Sequence, residues 1–306
     1  MSAAATALLP RALNDVLGPP ESEAQELGGG ITNHNLRVRY GGRDLVVRMA
    51  GKDSALLGID RECERKATAA AAAAGIGPEV VTFLRDPECL VTAFIPGRTL
   101  ERSDVGKPDV IAEVAVALGE VHGGPAIPNR FSAWDMVDLY ASTAAARGGS
   151  APGAFGDLRE YARRIHAAID PAHPEHAPVP CHNDLLPGNF IHDGERLRIL
   201  DWEYAGMGNR YFDLGNLSVN NGLSEAGDEW LLECYWGEPC TRRRLAMVRL
   251  MRIMSDFREA MWGVVQSAIS ELEFDFAAYS QEHFERVRSG FADPRFAVWL
   301  EDARGP

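Results

Sequence analysis

A short hairpin inside an otherwise helical stretch is the feature that most constrains how this chain can fold. Two short apolar runs, residues 190–192 and 197–200, are joined by Asp193-Gly194-Glu195, a turn sequence that favours antiparallel strands. The sequence from Pro108 to Ile169, and again from Tyr211 onward, has the composition and boundary residues of helices. It therefore predicts a mainly helical domain that carries one hairpin.

The first 94 residues follow a different pattern. A glycine-rich turn at 28–30 precedes two alternating runs, which the turn Tyr40-Gly41-Gly42-Arg43 can join into a hairpin. One helix is predicted over residues 60–74, because Asp60 can cap its start and a glycine follows its end. Ile95-Pro96-Gly97-Arg98 then breaks regular structure. We therefore expect an α+β chain with a small antiparallel β lobe and one helix over residues 1–94, and a larger, mainly helical lobe over residues 95–306.

Three polar residues surround the hairpin at a spacing that suits phosphoryl transfer, a reaction that the family resemblance of these segments implies. Asp184 and Asn189 lie five residues apart before it, and Asp201 follows it. This reaction needs an anionic group at the acceptor hydroxyl, to orient it and take its proton, and oxygen ligands that hold Mg²⁺ on the phosphates. Asp184 suits the first role, and Asn189 and Asp201 suit the second. Each residue alone is an ordinary turn former, so the prediction depends on all three together.

The segments around these residues resemble those of a known family. Residues 181–189, Cys-His-Asn-Asp-Leu-Leu-Pro-Gly-Asn, resemble the H-x-D-x-x-x-x-N catalytic loop of aminoglycoside phosphotransferases and choline kinases. Asp201-Trp202-Glu203 resembles their metal-binding segment, and the likeness extends over roughly residues 27–290. The resemblance implies a bilobal protein-kinase-like fold, ATP as the donor, Mg²⁺ as the metal and a small hydroxylated acceptor. His182 is expected to brace the loop by hydrogen bonding rather than to transfer protons.

The resemblance also implies a nucleotide site in the small lobe. Arg48 stands where kinases usually carry a lysine that holds the phosphates. Glu64 is the expected partner of Arg48, with Glu62 as the competing candidate. The glycine-rich segment is expected to bring backbone and polar groups to the phosphates through Gly29, Gly30, Thr32 and Asn33.

For the acceptor, the resemblance to the choline kinase branch indicates a cationic amino alcohol. Trp262 and Tyr279 are the matching aromatic residues, and Glu203 is a matching carboxylate. Glu259 replaces a family tryptophan and suits an amine that donates hydrogen bonds. Departures at Met207 and Asn220 also set this chain apart from choline kinases. Choline or ethanolamine is the first expectation; an aminoglycoside or another metabolite, and a catalytically silent nucleotide-binding module, are the alternatives.

Composition excludes some partners and indicates a compartment. The chain has 31 basic and 44 acidic residues and a net charge of −13, which disfavours nucleic acids and anionic lipid surfaces. No apolar run is long enough to cross a membrane, and the N-terminus lacks the features of an export signal. The five scattered cysteines indicate reduced thiols, so a cytoplasmic protein is expected. The sequence does not indicate an oligomeric state.

Overall fold

The computed structural model describes residues 2–28, 33–51, 53–169 and 171–305. Its N-terminal part contains, in chain order, α1 (Ser2–Ala7), α2 (Ala12–Leu17), β1 (Gln25–Leu27), β2 (Asn33–Tyr40), β3 (Arg43–Ala50), α3 (Arg61–Ala73), β4 (Val80–Arg85) and β5 (Glu88–Ala93). The five strands form one antiparallel sheet in the order β1-β2-β3-β5-β4.

The central hairpin of this sheet follows from its sequence. Leu36 and Val38 on β2, and Leu45 and Val47 on β3, alternate with more exposed residues and are buried on one face of the sheet. The turn between the strands is Gly41-Gly42, and both glycines have positive φ, as a two-residue hairpin turn requires.

The larger lobe is mainly helical. It contains β6 (Arg98–Thr99), α4 (Arg102–Val105), α5 (Pro108–His122), α6 (Ala133–Ala146), α7 (Phe155–Ala168), β7 (Val179–Cys181), β8 (Phe190–His192), β9 (Leu197–Ile199), β10 (Gly206–Gly208), α8 (Arg210–Asn221), α9 (Glu225–Trp236), α10 (Arg242–Ile269), α11 (Phe276–Ala292) and α12 (Phe296–Arg304). Strands β8 and β9 form the hairpin, with β6 on its outer edge, and β7 pairs with β10. None of the helices in the described ranges has the length and apolarity that a bilayer crossing requires.

Helix α3 links the two lobes. Asp60 caps it by accepting hydrogen bonds from the N–H groups of Glu62 and Cys63, at 2.9 and 3.0 Å. The buried apolar side chains of α3, such as Cys63 and Ala67, belong to the large hydrophobic core of the helical lobe. The sheet packs around a separate, smaller core with α1 and α2. The division at residue 94 stays a prediction, and α3 shares its core with the residues that follow that division.

Candidate active site

Helix α8 fixes the loop that contains Asp184. The carboxylate of Asp213 on α8 is fully buried and accepts hydrogen bonds from the backbone N–H groups of His182 and Asn183, at 2.8 and 2.7 Å. One helical turn later, Asn216 accepts a hydrogen bond from the N–H of Leu185, at 2.6 Å. The loop therefore takes its shape from side chains that are three residues apart on one helix face.

Sequence reasoning did not assign this anchoring role. Asp213 and Asn216 belong to the segment Tyr211 to Asn216, which resembles the family. The sequence signal for this role is a carboxylate and an amide on an otherwise apolar helix face. Such groups are buried only when they have hydrogen-bond partners, so their position on that face predicts that they bind another segment.

His182 braces the same loop from inside. Its ring is buried, and Nε2 lies 2.8 Å from the carbonyl oxygen of Leu200, while Nδ1 lies 3.2 Å from the backbone nitrogen of Asp184. A carbonyl oxygen only accepts and a backbone N–H only donates, so Nε2 carries the proton and Nδ1 accepts. Burial lowers the pKa of His182, which favours this neutral form.

The hairpin brings Asp184, Asn189 and Asp201 to one place. The side-chain nitrogen of Asn189 donates to the carbonyl oxygen of Asp184 at 2.8 Å, and the N–H of Leu200 donates to the carbonyl oxygen of Asn189 at 2.8 Å. Asp201 follows directly and has a left-handed backbone, with φ of 63°. A non-glycine residue in this conformation is uncommon and tends to occur at functional sites.

The donor atoms of Asn189 and Asp201 fit a hard cation. Because the amide nitrogen of Asn189 is used on the Asp184 carbonyl, its amide oxygen is the atom that can coordinate a metal. Asp201 adds a partly exposed carboxylate, whose Oδ1 atom contacts the guanidinium of Arg48. Oxygen ligands of these two kinds suit Mg²⁺ when phosphates supply the remaining ligands.

Arg48 on β3 reaches three carboxylates. Its Nε atom lies 3.2 Å from Glu64 on α3, and its Nη2 atom contacts Asp201 and lies 3.4 Å from Glu203. Glu62, the competing candidate, instead pairs with Arg65 at 2.6 Å. The structure therefore places Glu64, and not Glu62, beside Arg48.

A second arginine, Arg61, extends this cluster and was not identified from the sequence. Its Nη1 atom lies 2.8 Å from Glu64 and 3.2 Å from Glu203, and its Nη2 donates to the side-chain oxygen of Asn33 at 2.8 Å. Asn33 in turn donates to Glu203 at 2.8 Å. Gly29, Gly30 and Thr32, predicted to lie near the phosphates, fall outside the described residues.

The surroundings of Glu203 differ from those expected from the sequence. It was predicted as an acceptor-binding carboxylate, yet it is buried and its carboxylate lies against Arg48, Arg61 and Asn33. The carboxylates of Glu64, Glu203 and the proposed metal ligand Asp201 face the guanidiniums of Arg48 and Arg61, which leaves a formal excess of one negative charge. A cation is therefore favoured there.

The other predicted acceptor residues lie together on α10 and α11. The rings of Trp262 and Tyr279 meet edge to face with centroids 5.5 Å apart. The hydroxyl of Tyr279 donates to Glu259 at 2.8 Å, and the indole N–H of Trp262 donates to the hydroxyl of Tyr204 at 3.0 Å. We call Tyr204, Glu259, Trp262 and Tyr279 the acceptor cluster.

Arg258 joins the acceptor cluster to Asp184 and was also not identified from the sequence. Its side chain is 1% exposed; Nη1 lies 3.4 Å from Asp184 and contacts Glu259, and the guanidinium carbon lies 4.3 Å from the centre of the Tyr204 ring. Burial raises the pKa of Asp184, an effect that Arg258 opposes and the Glu259 carboxylate reinforces.

Comparison with known proteins shows the family and the fold of the chain. Residues 23–244 match the phosphotransferase enzyme family, to which the chain belongs. A crystal structure of a choline/ethanolamine kinase family protein from Mesorhizobium loti has a TM-score of 0.82 and 31% identity, covering 99% of this chain and 98% of that one. Ethanolamine kinase 2 of Mus musculus is 25% identical over 307 residues, which cover 88% of this chain and 76% of that protein. Protein LicA of Haemophilus influenzae is 26% identical over 212 residues, covering 68% of this chain and 61% of its own length.

The predicted family and the predicted α+β bilobal fold are therefore confirmed, and so is the assignment of the chain as a phosphotransferase.

Proposed function

We propose that this protein transfers the γ-phosphoryl group of ATP, with Mg²⁺, to the hydroxyl of a small cationic amino alcohol such as choline or ethanolamine. The observation that carries the proposal is the position of Asp184 between two clusters. The loop and hairpin connect it to Asn189 and Asp201, beside Arg48, and Arg258 connects it to the acceptor cluster. Donor and acceptor residues thus meet at one carboxylate.

At that carboxylate, the acceptor hydroxyl is oriented and gives up its proton. Asp184 is held by its own loop, whose backbone is fixed by Asp213 and Asn216, so it needs little reorganisation when the acceptor arrives. Positioning and charge stabilisation account for most of the catalysis in phosphoryl transfer, and a rigid loop serves both.

The donor is held by the small lobe and the hairpin. Asn189 and Asp201 would hold Mg²⁺, and the bound ion would supply charge neutralisation at the phosphates. Arg48 binds phosphate oxygens, and Glu64 keeps the Arg48 side chain in position through the ion pair at 3.2 Å. Asn33 and Arg61 hold Glu203 beside this site.

Support for an amino alcohol comes from the aromatic and acidic character of the acceptor cluster, and from relatives that are named as choline and ethanolamine kinases. Action in the cytoplasm, where ATP and Mg²⁺ are present and thiols stay reduced, is part of the same proposal.

The test is ADP formation from ATP and Mg²⁺ with a panel of choline, ethanolamine and aminoglycosides. We expect turnover with an amino alcohol, and an Asp184→Asn variant that binds ATP but turns over at least about a hundredfold more slowly. Asp193→Asn is the matched control, because Asp193 pairs with Arg198 in the turn of the same hairpin and is expected to leave turnover intact. Turnover of aminoglycosides alone would replace the amino alcohol with that acceptor class. ATP binding without any turnover would identify a silent nucleotide-binding module.

A further inference from the structure

The acceptor cluster is already in contact with a cation of the protein, Arg258. The guanidinium of Arg258 is packed over the ring of Tyr204 at 4.3 Å, a distance at which a cation is attracted by an aromatic face. Its charge is balanced by Glu259, with which it forms a hydrogen bond, and by Asp184 at 3.4 Å. The face of Tyr204, the carboxylate of Glu259 and the proposed base Asp184 are therefore all already in contact with a side chain of the protein itself.

The other aromatic rings of the cluster are also in contact with neighbouring rings. Trp262 meets Phe276 and Tyr279 edge to face, with centroids 5.7 and 5.5 Å apart. Tyr279 in addition packs against His283 at 4.6 Å and lies 6.0 Å from Phe274. A quaternary ammonium cannot donate hydrogen bonds, so it depends on open aromatic faces, and the face of Tyr204 is already taken by Arg258.

The carboxylate oxygens of Glu259, by contrast, can accept further hydrogen bonds. Glu259 accepts from Arg258 through one oxygen and from Tyr279 through the other, and each carboxylate oxygen can accept a second hydrogen bond. A primary ammonium can donate to these oxygens. A trimethylated one cannot, although it carries the same charge.

Arg258 itself has N–H donors that are not used in hydrogen bonds within the described residues. Nε and Nη2 of this almost fully buried side chain have no hydrogen-bond partner among the residues that the structure describes. Buried guanidinium N–H groups without partners are costly, and an oxygen atom supplied by a bound molecule would satisfy them. The acceptor of this reaction carries such an oxygen in its hydroxyl group.

We propose that Arg258 is a specificity-determining residue, which fills the position of a quaternary ammonium and makes the site select a primary-amine alcohol over its trimethylated analogue. The inference rests on the proposed function, since it concerns the acceptor of that reaction. In this arrangement the amine donates to carboxylate oxygens, and the guanidinium donates to an oxygen of the acceptor.

The first test uses the wild-type enzyme and four acceptors: ethanolamine and its mono-, di- and trimethylated forms. Each methyl group removes one N–H donor at constant charge. We expect kcat/KM to fall along the series, by about tenfold or more between ethanolamine and choline. A flat series, or one that rises toward choline, overturns the inference and leaves the proposed function in place. No turnover with any of the four removes the proposed function, and the inference with it.

The second test removes the internal cation together with its partner. In Arg258→Met/Glu259→Gln, no uncompensated charge is left on Glu259, and we expect the choline-to-ethanolamine ratio of kcat/KM to rise about tenfold or more above that of Glu259→Gln alone, which keeps Arg258. The matched control is Arg252→Met/Asp228→Asn, a pair on α10 and α9 at 3.1 Å that does not contact Asp184. It is expected to lower stability without changing the ratio. An unchanged ratio in a folded Arg258→Met/Glu259→Gln variant, or an equal change in the control, overturns the role of Arg258. If that variant does not fold, the acceptor series on the wild-type enzyme decides.

Discussion

The strongest test of the architecture is the replacement Asp213→Asn, which keeps the shape of the side chain and removes its charge. The carboxylate accepts backbone N–H groups at 2.8 and 2.7 Å, and His122 Nε2 lies 3.1 Å from it. Asparagine can accept through one atom only, so its amide group would face the second backbone N–H. Losing a charge-assisted hydrogen bond costs about 1.5–3 kcal/mol, and a buried donor without a partner costs about 1–3 kcal/mol more.

We therefore expect Asp213→Asn to lower the free energy of unfolding by about 3–5 kcal/mol, measured by urea denaturation. Because the same bonds shape the loop of Asp184, kcat of the folded fraction should also fall by about tenfold to a hundredfold. Asp228→Asn is the control: it removes a fully buried carboxylate that pairs with Arg249 and Arg252, away from the loop. It should lower stability and leave kcat of the folded fraction largely unchanged. If Asp213→Asn matches the wild type in both measurements, the loop is held by other contacts and the reasoning is wrong.

Three further predictions concern the donor site. Glu64→Gln should raise KM for ATP or lower kcat by about tenfold or more, because Arg48 loses its buried partner, while Glu62→Gln should change steady-state kinetics little. Removing Mg²⁺ with EDTA should abolish ADP formation, and added Mg²⁺ should restore it; turnover that survives chelation would contradict the assignment of Asn189 as a metal ligand. Arg61→Met should weaken ATP binding in calorimetry, since Glu64 and Glu203 both lose a buried cation; unchanged affinity would show that Arg61 acts only in folding.

Local patterns in the sequence were sufficient for the fold and for the centre of the proposed site. The hairpin at residues 190–200 is set by its turn residues, and the helix after Asp60 is set by its cap. Both signals, the turn residues and the cap, lie within a few residues of the hairpin and the helix that they predict. The spacing of Asp184 and Asn189 is local in the same way, and the structure brings the two into contact.

Contacts between segments that are far apart in the sequence could not be predicted from local patterns. Arg258 is 74 residues from Asp184, and Arg61 is 142 residues from Glu203; no spacing rule connects such pairs. An arginine on a predicted helix is usually expected to face solvent. Glu203 was predicted to bind the acceptor because it follows Asp201 in a family-like segment, whereas its actual neighbours are arginines from the small-lobe strand and from α3.

The shared core of α3 has a mechanical consequence. The backbone N–H of Ile199 donates to the carbonyl oxygen of Ile76 at 2.9 Å, just beyond α3, and Arg198 donates to the carbonyl oxygen of Gly75 at 2.5 Å. Helix and hairpin are thus connected both through apolar packing and through hydrogen bonds, so we expect them to move together as one unit. The sheet has its own core, so we expect a change in the angle between the lobes to tilt the sheet against this unit. Arg48 lies on the sheet and Glu64 lies on α3, so the length of their ion pair is expected to change with the angle between the lobes.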